Sequence, residues 1–277
     1  VTLASLAKRR SSGESPFACL TCYDAQTARL LAGAGVHVLL VGDTAAEMVL
    51  GFERTIDCPL DFLITLTAGV ARGSRMGVGG VRPLIMGDMP FMSYHASIDE
   101  AVKNAGRFVV EGQADIVKLE ADASFAPVIE RIVRAGVPVC GHIGSRPQRV
   151  ALTSGYASAG RTDQAAQRVV DDAIALQEAG CQMLLIEAVP DATAAKVMEV
   201  AQVPVIGIGA GPACDGQVLV LNDLLGTSPR PPSFAKPAAQ LGEEIQLAAK
   251  AWVTTVANRA VGQSPYAMRT QAKAAKR

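Results

Sequence analysis

A chain of 277 residues that is 49% apolar is long enough for one large barrel or a comparable single domain. Its 26 basic and 26 acidic side chains cancel, which removes any global electrostatic case for nucleic acid or an anionic membrane. Aromatics are only 4%, so a base-stacking platform is excluded as well.

Residues Leu3 to Arg10 read as a short helix, followed by a polar link. Lys8-Arg9-Arg10-Ser11-Ser12 is polar and gives no apolar signal core, and no run of about 20 apolar residues marks a membrane span. A cytoplasmic protein is expected. Phe17 to Cys22 is the first strand. Its Cys19-Leu20-Thr21-Cys22 spacing is that of a redox or zinc pair, but the pair lies inside a strand and no second close pair exists. The six cysteines are therefore expected to be reduced and buried.

Ala25 to Ala34 follows as a helix that Gly35 stops. Val36 to Val41 is an apolar run ending in Gly42-Asp43-Thr44. A helix over Asp61 to Gly73 and a glycine-rich turn, Gly77 to Gly80, lead to a strand from Val81 to Met86 that ends at Gly87-Asp88. Ile98 to Gly112 is a helix with Ser97 as its cap and Asp99 and Glu100 in its first turn. Ile116 to Leu119 is a strand ending at Glu120, and Phe125 to Ala135 is helical. Val137 to Cys140 ends at Gly141-His142. Gln164 to Ala179 is a helix that Gly180 stops. Met183 to Ile186 ends at Glu187, Ala192 to Val200 is helical, and Val203 to Ile208 ends in Gly209-Ala210-Gly211. Val218 to Leu221 is an eighth strand candidate. One or two closing helices fill Phe234 to Asn258, and a polar, basic tail ends the chain.

Apolar strands alternating with helices predict a parallel sheet covered by helices. Eight such units fit a (β/α)8 TIM barrel, with a short N-terminal helix and C-terminal closing helices. The expected division is one catalytic barrel over residues 1–262 and a tail over 263–277. A doubly wound open sheet is the runner-up. The barrel is favoured because ionisable side chains end many strands, and in a barrel all those ends meet at one mouth.

Those strand-end groups are Asp43, Asp88, Glu120, His142 and Glu187. Lys118 shares a strand face with Glu120, because side chains alternate across a strand. A cation and a carboxylate on one buried face are costly without a partner, a metal or a ligand. Carboxylates from neighbouring strands suit a hard cation with oxygen ligands, magnesium before zinc. A 2-oxo acid can chelate such a cation, which then stabilises an enolate as a Lewis acid. Lys118 would meet the substrate, and Glu187 is the candidate proton acceptor with His142 in support. Each group also has a plain structural role open to it: a helix cap for Asp43, a cap on the turn before Pro90 for Asp88, a core histidine for His142, a rim position for Glu187, an ion pair for Lys118.

Several stretches taken together resemble the ketopantoate hydroxymethyltransferase family. They are Val41-Gly42-Asp43, Asp88-Met89-Pro90-Phe91-Met92, Val117-Lys118-Leu119-Glu120, Pro138 to Gly144 and Pro204 to Gly211, with Gly155-Tyr156, Gly160-Arg161 and Asp215-Gly216-Gln217. The likeness runs from about Phe17 to Trp252. It implies a barrel of the phosphoenolpyruvate mutase and isocitrate lyase superfamily. It also implies magnesium-dependent transfer of a hydroxymethyl group from 5,10-methylenetetrahydrofolate to 3-methyl-2-oxobutanoate, in pantothenate biosynthesis. By motif, Asp43, Asp88 and Glu120 take the metal positions. Asp43, Thr44, Asp88 and Lys118 take substrate positions, and Glu187 that of the base. The resemblance further implies a homo-oligomer, family members being homodecamers, and no nucleic-acid or membrane partner.

The chain departs from the family pattern near the mouth. Thr44-Ala45-Ala46-Glu47 stands where Ser-Leu-Gly-Met is usual, and Thr55-Ile56-Asp57-Cys58-Pro59-Leu60 where Thr-Leu-Pro-Val-Thr is usual. Ala121-Asp122 follows Glu120 where a glycine pair is common. Two other readings stay open on this account: a paralogue acting on another 2-oxo acid without folate, and an inactive barrel.

Overall fold

The computed structural model describes residues 1–77, 81–153, 155 and 157–266. Most of the glycine-rich turn at 77–80, Tyr156 and the tail from 267 fall outside them. Eight parallel strands close into one barrel in chain order, β8 pairing back to β1. The first four are β1 Phe17–Thr21, β2 Val38–Val41, β3 Leu84–Asp88 and β4 Ile116–Glu120. The rest are β5 Val139–Gly144, β6 Met183–Glu187, β7 Val205–Ile208 and β8 Gly216–Leu219. The chain is a (β/α)8 TIM barrel, as the alternation of strands and helices predicts.

The helices are α1 Leu3–Ser12, α2 Ala25–Gly33, α3 Ala45–Met48, α4 Leu60–Ser74, α5 Ile98–Val110 and α6 Ala126–Arg134. After them come α7 Val150–Thr153, α8 Asp163–Glu178, α9 Asp191–Val200, α10 Leu221–Leu224 and α11 Leu241–Ala257. Local chemistry sets their ends. Asp24 accepts from the Gln26 and Thr27 N–H groups at the start of α2, and Ser97 accepts from Glu100 N–H at the start of α5. Each satisfies donors that the first turn leaves open. Gly35, at φ +82°, follows α2 in the left-handed region and turns the chain towards β2.

Strand parity sorts the core into two clusters. Val38 and Leu40, Leu84 and Met86, Ile116, Cys140, Met183 and Leu185 fill the barrel interior. Leu39, Ile85, Val117, Leu119, Leu184 and Ile186 face the helices instead. Leu6 of α1 is fully buried against the interior set, closing the N-terminal end of the barrel. Two outward positions are glycines for lack of room. A Cβ on Gly87 would lie 2.6 Å from the Phe108 ring, and one on Gly141 would lie 2.8 Å from Leu176.

Several boundaries differ from the sequence expectation. β3 begins after Pro83, which has no N–H to give a ladder. β5 starts after Pro138 and runs on to Gly144, so His142 lies within the strand rather than after it. β8 spans 216–219 rather than 218–221. A single long helix, α11, occupies the expected closing region, and it buries none of its residues. All six cysteines are free and buried. Among the described residues no helix is long and apolar enough to cross a membrane.

Candidate active site

The parity that fills the interior also fills the mouth. Asp88 continues the row of Leu84 and Met86, and Lys118 and Glu120 continue that of Ile116. His142 follows Cys140, and Glu187 follows Met183 and Leu185. Barrel register sets Asp88 beside Lys118, Lys118 beside Cys140 and Glu120 beside His142. Asp43 arrives differently. β2 ends at Val41, the chain turns, and Asp43 N–H donates to Asp88 Oδ2 at 3.0 Å. These groups line one cavity of about 630 Å³, together with Thr44 and Glu47.

Lys118 is the centre of the site. Its Nζ lies 2.9 Å from Asp88 Oδ2 and 3.3 Å from His142 Nδ1, and all three side chains are buried. Burial alone would lower its pKa. The Asp88, Asp43 and Glu120 carboxylates outweigh that and hold it above the usual lysine range. Burial, then the Asp88 charge, pushes the Asp43 carboxyl up to about 8. Burial and then Asp43 raise Glu120 well above the ordinary range. One lysine among three buried carboxylates leaves the site short of positive charge.

His142 is held below its ordinary pKa by burial and by Lys118, so the ring is neutral near pH 7. Lys118 is a donor with nothing to accept, which makes Nδ1 the acceptor and puts the ring proton on Nε2. Nε2 stands 3.2 Å from Glu187 Oε2, off the line of a well-formed hydrogen bond. Glu187 is the one carboxylate of the set that keeps some solvent contact, its side chain a quarter exposed. Ser145 N–H donates to its carbonyl at 2.8 Å, and Gly144 permits that approach. A Cβ at Gly144 would lie 2.5 Å from the same oxygen. Ala188, next in the chain, is left-handed at φ +48°, a conformation that costs a non-glycine residue about 1 kcal/mol or more.

The plain roles fare unevenly. Neither Asp43 nor Asp88 caps a helix: Thr44 precedes α3 and makes no side-chain cap. Lys118 does form an ion pair, with Asp88. His142 is buried, with Lys118 Nζ at Nδ1 and Glu187 Oε2 near Nε2. Glu187 sits between wall and rim.

Two residues of the site gave no signal in the sequence. Gln148, in the loop after β5, donates through Nε2 to Asp43 Oδ2 at 2.9 Å. Its backbone N–H donates to both oxygens of Glu120. Tyr94, in the loop after β3, donates to Gln148 Oε1 at 2.7 Å. Gln148 lies in a single 3-10 turn, Pro147–Arg149, and Tyr94 in a bend, and both are too short for hydrophobic periodicity to show direction.

The donor set fits a hard cation in its chemistry. The Asp88 Oδ1 atom is buried and has no hydrogen-bond partner, as suits an acceptor that awaits a metal or a ligand donor. Among the described residues, however, no three His, Cys, Asp or Glu side chains converge closely enough to hold an ion by themselves. Carboxylate oxygens are the donors that magnesium takes, whereas zinc prefers nitrogen and sulfur.

Over residues 1–263 the sequence matches the family described as ketopantoate hydroxymethyltransferase. The chain belongs to that family. A 3-methyl-2-oxobutanoate hydroxymethyltransferase of Anaeromyxobacter sp. (strain K) is 49% identical over 261 residues, covering 94% of this chain and 84% of the relative. One from Pyrobaculum aerophilum is 43% identical over 244 residues, covering 88% and 90%. Among solved structures, 2,3-dimethylmalate lyase, a PEP mutase/isocitrate lyase superfamily member, aligns with a TM-score of 0.60 at 16% identity. The alignment covers 96% of this chain and 90% of the lyase. Phosphonopyruvate hydrolase in complex with oxalate and Mg++ aligns at 0.59 and 13% identity, over 95% and 89%. At those identities the likeness is one of fold. The strand ends that converge at the mouth, with Asp43, Asp88, Lys118, Glu120, His142 and Glu187, all lie within the matched residues.

Proposed function

We propose that this chain transfers a hydroxymethyl group from 5,10-methylenetetrahydrofolate to 3-methyl-2-oxobutanoate, giving 2-dehydropantoate. The observation that carries the reading is the row Lys118, His142, Glu187 along the inner wall, with spacings of 3.3 and 3.2 Å. It sets a buried cation at one end and a carboxylate with solvent contact at the other. Deprotonation at C3 of a 2-oxo acid needs both. Glu187 takes the proton, and the electron pair moves towards the oxo oxygen, where negative charge grows in reach of Lys118. Neutral His142 presents its Nε2 proton to Glu187 and steadies the carboxylate without adding a charge. Carbon C3 then forms its bond to the one-carbon unit, both carbon–nitrogen bonds to the folate break, water supplies the hydroxyl group, and the two folate nitrogens take up the C3 proton and the proton left from water to give tetrahydrofolate. Asp43, Asp88 and Glu120 are the residues that would hold magnesium, which supplies Lewis-acid polarisation of a chelating 2-oxo acid. Thr44 lines the mouth beside them and offers a hydroxyl to the substrate carboxylate.

A second reading rests on the Thr44–Glu47 segment. Glu47 places a carboxylate at the mouth of a site that is to admit an anion, which favours a paralogue acting on another 2-oxo acid.

Proton exchange at C3 of 3-methyl-2-oxobutanoate, followed by NMR in deuterated buffer with magnesium and with or without the folate, tests the assignment. The wild-type protein is expected to exchange C3–H with magnesium alone and to form product only when the folate is added. Glu187→Gln keeps the shape and removes the basicity. It should bind the oxo acid yet slow exchange on the order of 100-fold, the scale of a positioned base. Wild-type exchange in that variant would exclude Glu187 as the base. A wild-type protein with neither exchange nor product would exclude the reaction.

A further inference from the structure

Gln148 is 3% exposed and Tyr94 1%, yet neither belongs to the strand-end constellation. Their hydrogen bonds form a closed circuit. Glu120 N–H donates to Tyr94 Oη at 3.2 Å, and Tyr94 Oη donates to Gln148 Oε1 at 2.7 Å. Gln148 Nε2 donates to Asp43 Oδ2 at 2.9 Å and to the Met89 carbonyl at 3.1 Å. Gln148 N–H returns to the Glu120 carboxylate at 3.1 and 3.0 Å. The circuit settles which way the amide points. Nε2 faces two acceptors and Oε1 faces a hydroxyl, and the flipped amide would set an oxygen against a carboxylate and a carbonyl.

We propose that Gln148, oriented by Tyr94, is a positioning residue that presents the Asp43 and Glu120 carboxylates to a divalent cation. The inference rests on the metal reading of those two carboxylates. Asp43 follows β2 and Glu120 ends β4, with β3 between those strands, and both are buried near Asp88. Left alone they repel, and each would turn towards whatever donor it could find. An ionised carboxylate has about four acceptor sites. Gln148 occupies one on Asp43 and one on each oxygen of Glu120, and it leaves the others free. Its own carbonyl is taken by Tyr94, so the amide offers the carboxylates donors only and does not compete as a ligand. Outer partners of this kind typically change metal affinity by about 10- to 100-fold when removed.

The test measures magnesium affinity by calorimetry on the full chain without substrate, beside thermal unfolding of the metal-free protein. Gln148→Met keeps the length of the side chain and the backbone N–H to Glu120, and deletes only the amide. Its magnesium Kd should rise about 10-fold or more. Tyr94→Phe removes one oxygen, frees the amide to rotate, and should move the Kd in the same direction. A purely structural role would lower the unfolding temperature and leave the Kd where it was. An unchanged Kd in Gln148→Met overturns the proposal, and an unchanged Kd in Tyr94→Phe does so if the first variant fails to fold. A rise in Gln148→Met alone removes Tyr94 from it. A wild-type protein that binds no magnesium overturns the proposal together with the metal reading. A wild-type that binds it, beside a Gln148→Met that binds equally well, overturns the proposal alone.

Discussion

Asp43 and Glu120 are buried carboxyls whose proton affinity is raised by burial and then by a neighbouring carboxylate, Asp88 for Asp43 and Asp43 for Glu120. The consequence for folding has a definite sign. Between the ordinary value of 3.8 and about 8, the folded chain keeps a proton on Asp43 that the unfolded chain has released. Raising the pH through that window therefore weakens the fold, and the loss is complete above the folded value. Lys118 is charged throughout the window and adds no slope of its own. Chelator-treated protein should unfold at a lower temperature at pH 8 than at pH 5, by more than about 3 °C, the scale of 1 kcal/mol in a chain of this size. Magnesium binds the ionised carboxylates, so it should restore the loss at pH 8 and do little at pH 5. Asp43→Asn should flatten the slope and leave the part due to Glu120. Scanning calorimetry across that range decides it, and a flat wild-type profile would refute the burial account. Asp88→Ala is a poorer probe. It leaves the Lys118 ammonium buried without its ion-pair partner, a change that costs about 3–5 kcal/mol. The ionisable residues of the site were legible in the sequence because each lies within or just after an apolar run that reads as a strand. What they do to one another was not, since Lys118 to Asp88 and His142 to Glu187 are contacts between strands.

At the scale of elements, one segment that departs from the pattern of the family it resembles is the turn from β2 into α3. Ala45 and Ala46 are fully buried, while Glu47 and Met48 line the mouth. Restoring the whole family sequence would force a leucine into the closed space of Ala45, an overpacking worth about 1–3 kcal/mol. Thr44→Ser with Glu47→Met changes only the two of these departing positions that line the mouth. A 2-oxo acid is an anion, and a like charge about 4 Å away costs roughly 1 kcal/mol in a water-like setting. The double variant should raise kcat/KM for 3-methyl-2-oxobutanoate by roughly fivefold, with a gain that shrinks as salt is added. Unchanged kcat/KM would show that the segment is neutral towards this substrate. Strands and helices were readable here because their periods differ and glycine or proline marks their ends: Gly35 after α2, Pro83 before β3, Pro138 before β5. The errors fall where a strand continues through polar residues, as β5 does to Gly144. Gln148 stayed hidden because a single short turn has no period to read.

For the molecule as a whole, α11 is the element without a place. It is 17 residues long and buries none of them. Leu241, Ile245, Trp252 and Val256 recur at helical spacing and form one stripe, with Trp252 61% exposed. A helix with an uncovered apolar stripe gains nothing from folding alone, since helical stability comes mostly from packing such a face. Burying those four side chains would contribute about 1.5–3 kcal/mol for each of the large ones. The barrel packs its other long helices against its own strands, and this stripe stays exposed. The self-assembly implied by the family resemblance supplies a partner for it: a second copy, whose identical helix or barrel wall offers a complementary face. Sedimentation or light scattering should then find the protein well above the 28.8 kDa of one chain. Trp252→Glu places a charge in the middle of the stripe and should shift the mass downwards. The barrel itself should stay folded, because no residue of α11 is part of its core. A monomeric wild-type protein would leave α11 to another partner. An oligomer that survives Trp252→Glu intact would put the contact elsewhere on the barrel.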